Sequence, residues 1–129
     1  MILAIYGRKF EDKSISMVNL VFDELEKRGA TLWIYDKLHL FLEHTLERKI
    51  IAKTYVKGSD INAKIDALIT IGGDGTILDV ITEIQDKGVP ILGMNTGRLG
   101  FLANNSKEDV TRAITCLFAK DYRIDKRSL

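Results

Sequence analysis

The chain has 129 residues, 46% of them hydrophobic and 29% charged, with a formal net charge of +1. That is enough for one domain with a real core, or for a piece of a larger protein, in an ordinary soluble globular mixture. The basic residues are dispersed, which excludes the footprint of a nucleic-acid binder, and the apolar runs are only a few residues long, which excludes a membrane-spanning helix. The single cysteine, Cys116, has no partner for an internal disulfide and sits among Ile114, Leu117 and Phe118. It reads as a small buried hydrophobe in a cytoplasmic protein.

The opening "MILAIYGRKF" is apolar at once, without a basic leader or a small-residue cleavage site, and reads as a strand over residues 2–7 rather than a signal peptide. The polar loop "RKFEDKS" follows. Ser14 suits an N-cap, and Ile15, Val18, Phe22 and Leu25 then recur at the spacing of an amphipathic helix. Gly29 supplies the left-handed residue that ends it. "TLWIY" is the next strand, so this β-α-β unit should give a parallel pair with a right-handed crossover.

The middle is less regular. "KLHLFLEHTLERK" is helix-like, although its apolar positions suit no single period, and "KTYVKGSDINAK" reads as loop and connector. "DALITIGG" is a strand terminating at Gly72, and residues 76–87 follow as a helix with Ile77, Val80, Ile81 and Ile84 on one face. Gly88 closes that helix, Pro90 sets a turn, and a short strand runs to Met94. After the glycine-bearing "NTGRLGFLA", Ser106 begins a helix with Asp109 three residues on, close to a capping box, running to about Lys120. The tail "DYRIDKRSL" alternates like a strand. Strands alternating with helices predict a three-layer, Rossmann-like α/β domain with a mainly parallel sheet. Ligands of such sheets sit beyond the carboxyl ends of the strands, where both glycine loops fall.

The first loop, "GGDGT", fits neither standard phosphate loop. No lysine follows the glycines as a P-loop needs, and Leu78 stands where the third glycine of a dinucleotide fingerprint belongs. The physics of an anion cradle still applies. Gly72, Gly73 and Gly75 let backbone N–H groups approach closely, and the helix start at Thr76 adds a dipole, unpaired donors and a hydroxyl. Asp74 is ill suited to touch phosphate but well suited to take a proton from an alcohol beside it, the arrangement of phosphoryl transfer. The alternative is that Asp74 is a turn residue. Asn95 hydrogen-bonds a ligand or holds its own turn, and Arg98 is a phosphate contact or a solvated loop arginine. His39 and His44 are five apart, off a common helical face, and no metal-ligating set is evident.

With these residues in view, "GGDGT" resembles the signature shared by NAD kinases and by the diacylglycerol and sphingosine kinases, with a cousin in the phosphofructokinases. The second loop, "GMNTGRLGFL", about twenty residues on, resembles the segment characteristic of NAD kinases rather than that of the lipid kinases. The likeness to NAD kinases covers essentially the whole chain. It implies that Asp74 engages the 2′-hydroxyl of the NAD adenosine ribose as proton acceptor and that Gly75 and Thr76 line the nucleotide. It implies further that Phe101 offers an aromatic face to adenine, with Leu99 and Gly100 shaping that wall. Asp79, one helical turn past Gly75, stands where many members carry a basic or polar residue, so no nucleotide contact is expected of it.

The resemblance also implies ATP or polyphosphate as donor with Mg²⁺, NAD as substrate, no nucleic-acid or membrane partner, and a homo-oligomer in the full-length protein. NAD kinases pair an α/β domain with a β-rich one that contributes an asparagine-glutamate pair, and that pair is absent here. The expectation is an N-terminal half, with residues 1–120 as the α/β domain and 121–129 as a crossover strand toward a β-rich domain, and little activity alone. Two rival readings stand beside it: a lipid kinase domain, and a nucleotide-binding regulatory module in which Asp74 only ties down ribose.

Overall fold

The computed structural model describes residues 1–8, 10, 14–56, 64–72, 76, 79, 88–95 and 107–119. In chain order the elements are β1 (Ile2–Gly7), α1 (Ile15–Lys27), β2 (Thr31–Tyr35), α2 (Asp36–Leu46), β3 (Lys53–Tyr55), β4 (Ala67–Gly72), β5 (Ile91–Asn95) and α3 (Lys107–Ala119). The strands form one sheet in the order β3-β2-β1-β4-β5, and every described pairing is parallel. This is the expected α/β class, Rossmann-like in its strand order.

β1 is central, pairing with β2 from Ile2↔Thr31 to Ile5↔Ile34 and with β4 from Leu3↔Ala67 to Gly7↔Ile71. Asp66 sets the β1–β4 register at its start: its carboxylate accepts the Ile2 N–H at 2.7 Å, and its own N–H donates to the Ile2 carbonyl at 2.8 Å. Every residue of β4 is buried, as a strand covered on both faces requires. On one face Leu3, Ile5, Ile34 and Ile69 pack with Phe22 of α1, Leu42 of α2 and Ile114 of α3. On the other, Ala4 and Leu68 pack with Tyr55 and Ile65, flanked by Trp33, Tyr35 and Ile91.

α1 is the predicted amphipathic helix, burying Met17, Val18, Val21, Phe22 and Leu25. Ser14 holds the N-cap position but forms no side-chain capping bond, so its expected capping role is corrected to a buried residue at the helix entry. Gly29 ends α1 at φ +70°, with Gly29 N–H donating to the Glu26 carbonyl at 3.0 Å and Ala30 N–H to the Leu25 carbonyl at 3.1 Å. That bond pair is a Schellman motif. α3 docks on α1: the Arg28 guanidinium donates to the Thr115 hydroxyl at 2.7 Å and lies 5.3 Å from the Phe118 ring centre.

α2 exists despite its mixed periodicity, burying Leu38, Leu42 and Leu46 while Leu40 faces outward. Arg48, just beyond it, reaches back to Asp23 at 2.8 Å and Glu26 at 3.0 Å on α1. The hydrogen bond to Asp23, and then the charge of Glu26, hold that guanidinium more firmly protonated than an isolated arginine. His39 is structural, its Nε2 3.0 Å from the Ile50 carbonyl oxygen.

The reading of "KTYVKGSDINAK" as loop needs correction. Lys53–Tyr55 is the edge strand β3, paired from Trp33↔Lys53 to Tyr35↔Tyr55, while residues 57–63 lie outside the described set. Thr76 and Asp79 are helical as expected, but most of the expected helix over 76–87, the cap at Ser106 and the tail over 121–129 also lie outside it. Among the described residues no helix is long and apolar enough to cross a membrane.

Asp66→Ala would leave the half-buried Ile2 N–H without its acceptor. It should lower unfolding free energy by about 1–3 kcal/mol in urea titration, whereas an unchanged midpoint would mean that strand packing alone sets the register.

Candidate active site at the strand tips

The chain leaves β1 toward β2 and β3, and leaves β4 in the opposite direction toward β5, so the strand order reverses between β1 and β4. Crevices outside the carboxyl ends of strands at such a reversal are where open α/β sheets bind ligands. The residues there are Gly7 and Arg8 from β1, Gly72 from β4 and Asn95 from β5, with Gly72 and Asn95 register partners. The two glycine-bearing loops therefore depart from adjacent points of the sheet.

Both tip glycines are demanded by space. A Cβ on Gly7 would run into the Ile71 carbonyl, and one on Gly72 would run into the Thr76 hydroxyl. Gly72 also holds φ +147°, a conformation open to glycine and strained for other residues. Thr76 is buried, so the two ends of the glycine loop meet as the chain turns from strand into helix. Gly72, Thr76 and Asn95 are thus brought together at the tips. Gly73, Asp74, Gly75, Leu99, Gly100 and Phe101, with Arg98, lie outside the described residues.

Arg8 is a residue that the sequence reading passed over. Its guanidinium donates to the Asp79 carboxylate and is hydrogen-bonded to the Tyr6 side chain, linking the loop after β1 to the helix after the glycine loop. The Asp79 charge, and then the Tyr6 hydrogen bond, make Arg8 a still stronger cation. Burial, followed by the nearby Asp79 charge, raises the Tyr6 phenol above its ordinary value of 10.0, with the Arg8 hydrogen bond opposing both. Asp79 accordingly engages protein rather than standing idle. The only prior hint was its spacing from Gly75, because its partner lies 71 residues away in sequence.

A cleft of about 290 Å³ opens beside this network, lined by Tyr6, Arg8, Tyr35, Lys37, Leu38 and Phe41. Tyr6 and Tyr35 tilt against each other with ring centres 5.0 Å apart, and Phe41 meets Phe10 edge-on, also at 5.0 Å. Asp36, at the start of α2, accepts the Lys37 N–H at 2.8 Å, so it serves that helix end.

Fold and strand-tip geometry define a doubly wound, parallel α/β domain whose candidate site straddles the strand-order reversal. Residues 3–122 match the family described as the ATP-NAD kinase N-terminal domain, and the chain belongs to that family. It is 37% identical over 129 residues to an NAD kinase of Bacteroides fragilis, covering all of this chain and 44% of that protein. To an NAD kinase of Flavobacterium psychrophilum it is 35% identical over 132 residues, with the same coverage. The chain therefore spans less than half the length of these curated relatives. Among solved structures, an NAD kinase from Archaeoglobus fulgidus in complex with ATP shares the fold at TM-score 0.56 and 21% identity, covering 94% of this chain and 38% of that one.

Two outcomes follow from the tips. Gly72→Ala should cost about 1–3 kcal/mol in urea unfolding, because a Cβ there is strained and meets Thr76. Tyr6 holds its proton more tightly folded than unfolded, so its contribution is complete below pH ~10 and is lost as pH rises through the raised folded value. Tyr6→Phe should flatten the alkaline fall in thermal midpoint, and an unaltered alkaline limb would contradict the shift.

Proposed function

We propose that this chain supplies the base-bearing half of an NAD kinase site, transferring the γ-phosphoryl group of ATP to the 2′-hydroxyl of the adenosine ribose of NAD. The observation that carries the reading is "GGDGT" leaving β4 at the strand-order reversal, in a chain that belongs to the NAD kinase family. Asp74 accepts the 2′-hydroxyl proton as the oxygen attacks the γ-phosphorus. The new O–P bond forms, the bond from that phosphorus to the β–γ bridging oxygen breaks, and ADP leaves with the electron pair. Gly72, Gly73 and Gly75 admit backbone donors to the phosphates, and Thr76 adds its hydroxyl at the helix start. Phe101, Leu99 and Gly100 wall the adenine, and Asn95 holds the second loop.

The Archaeoglobus relative's complex with ATP supports ATP as the donor here. Among the described residues no group of three or more histidine, cysteine, aspartate or glutamate side chains could hold a metal ion. The Mg²⁺ that the family reading implies would be carried in with the ATP phosphates. We place the working protein in the cytoplasm as a homo-oligomer, with residues 1–120 as the α/β domain and 121–129 leading to a β-rich partner domain.

The test is a chimera in which these 129 residues precede the remaining length of the Bacteroides fragilis enzyme. It should form NADP from NAD, ATP and Mg²⁺, and Asp74→Asn should cut turnover by about 10²–10⁴-fold with the fold unchanged. The 129-residue chain alone should form little or none, because it spans only 44% of the length of the Bacteroides fragilis enzyme and ribose positioning draws on the whole site. Near-normal turnover by the Asp74→Asn chimera would return Asp74 to the role of a turn residue.

A further inference from the structure

We propose that Arg8 is a positioning residue for turnover: it braces both ends of the segment that carries Asp74, its main chain holding the start and its guanidinium the end. The role in turnover rests on the NAD kinase reading, whereas the brace itself does not.

The start of the segment is fixed through the sheet. Arg8 follows Gly7, the last residue of β1, and its main-chain N–H donates to the Ile71 carbonyl at 3.3 Å. That bond carries the β1–β4 pairing one residue past the Gly7↔Ile71 register. Gly72 comes next on β4, and the Thr76 hydroxyl stands where a Gly72 Cβ would be.

The end is fixed through side chains. Asp79 lies three residues beyond the buried Thr76, about one helical turn, and its carboxylate accepts the Arg8 guanidinium. Tyr6, two residues before Arg8, is hydrogen-bonded to the same guanidinium, so its direction is set from β1 as well as from Asp79. A planar fork with five donors can serve both partners at once.

The contacts close a ring. It runs from the Ile71 carbonyl along the chain through Gly72, Thr76 and Asp79, and returns through the Arg8 side chain and main-chain N–H. Asp74 belongs to the span that this ring closes, by its place in the sequence five residues before Asp79. A span anchored at both ends has less freedom than one anchored at a single end, and a displacement of about 1 Å at a reacting group costs on the order of 10²-fold in rate. The ion pair is open to solvent, 61% for the Arg8 side chain and 37% for Asp79, so it adds little to global stability and acts locally.

The experiment uses Arg8→Gln, which removes the charge and keeps the main-chain bond. In the 129-residue chain, NMR order parameters of the Thr76 and Asp79 amides should fall from about 0.85 toward 0.6 with the urea midpoint unmoved. In the chimera, kcat should fall about tenfold while KM for ATP and KM for NAD stay within about twofold. Reversing the pair, Arg8→Asp together with Asp79→Arg, should restore most of the lost turnover. Unchanged order parameters overturn the proposal, as does a reversed pair no faster than Arg8→Gln. A rise in KM for ATP with kcat unmoved also overturns it, because Arg8 would then be binding substrate rather than bracing the chain. A fall in kcat that tracks a fall in the urea midpoint overturns it in favour of a purely structural role. A parent chimera that forms no NADP sinks the kinase reading, and the order parameters still decide the brace.

Discussion

The parallel pairing of β1 with β4 brings the chain's first residues against a segment more than sixty positions later, ending where Gly7 lies too close to the Ile71 carbonyl for any side chain. Every feature of the candidate site depends on that contact. It makes the two strand tips neighbours although α1, β2, α2 and β3 intervene in sequence. It also sets the reversal in strand order, since β2 and β3 occupy one side of β1 and β4 and β5 the other. Loop closure over such a distance costs entropy, and the burial of both faces of β4 offsets it. Asp66 locks the start of the pair and the glycines allow its end.

The helices answer a different demand. α1, α2 and α3 share one core with the same face of the sheet, and polar contacts tie them to one another over that core. Arg48 links the end of α2 to α1, and Arg28 links α1 to α3. Single polar contacts at the rim of a core contribute little stability, so the apolar interface carries the energy and the arginines set helix orientation. The result is a rigid platform beneath the strand tips, which a site needs if its loops are to hold reacting groups in place.

Legibility in the sequence followed the strength of local signals. β1, α1 and β2 were readable because an unbroken apolar strand, a 3–4 spaced stripe and a glycine stop are each complete within their own segment. α2 blurred because Leu40, though apolar, is 71% exposed, and it breaks the stripe made by Leu38, Leu42 and Leu46. β3 was missed because a three-residue edge strand with only Tyr55 buried carries almost no pattern, and its existence comes from pairing with β2. The glycine loop announced itself through residue types that have few other uses in that order. The bond between Arg8 and Asp79 announced nothing, because it joins residues 71 apart and neither is unusual alone.

That last contrast bears on how the site divides between motif and fold. The motif "GGDGT" is complete within one short segment, whereas the neighbours of its first residue, Gly72, at the strand tips come from the fold. Asp79 shows why both are needed. Its place one turn past Gly75 suggested a nucleotide contact to be doubted, and the fold turns that doubt into a different role. The carboxylate draws the β1 tip toward the helix that carries the loop. An exposed pair of this kind adds little to stability. What the pair does fix is the direction of one guanidinium at the edge of the cleft beside β1, joined to a residue three positions past Thr76.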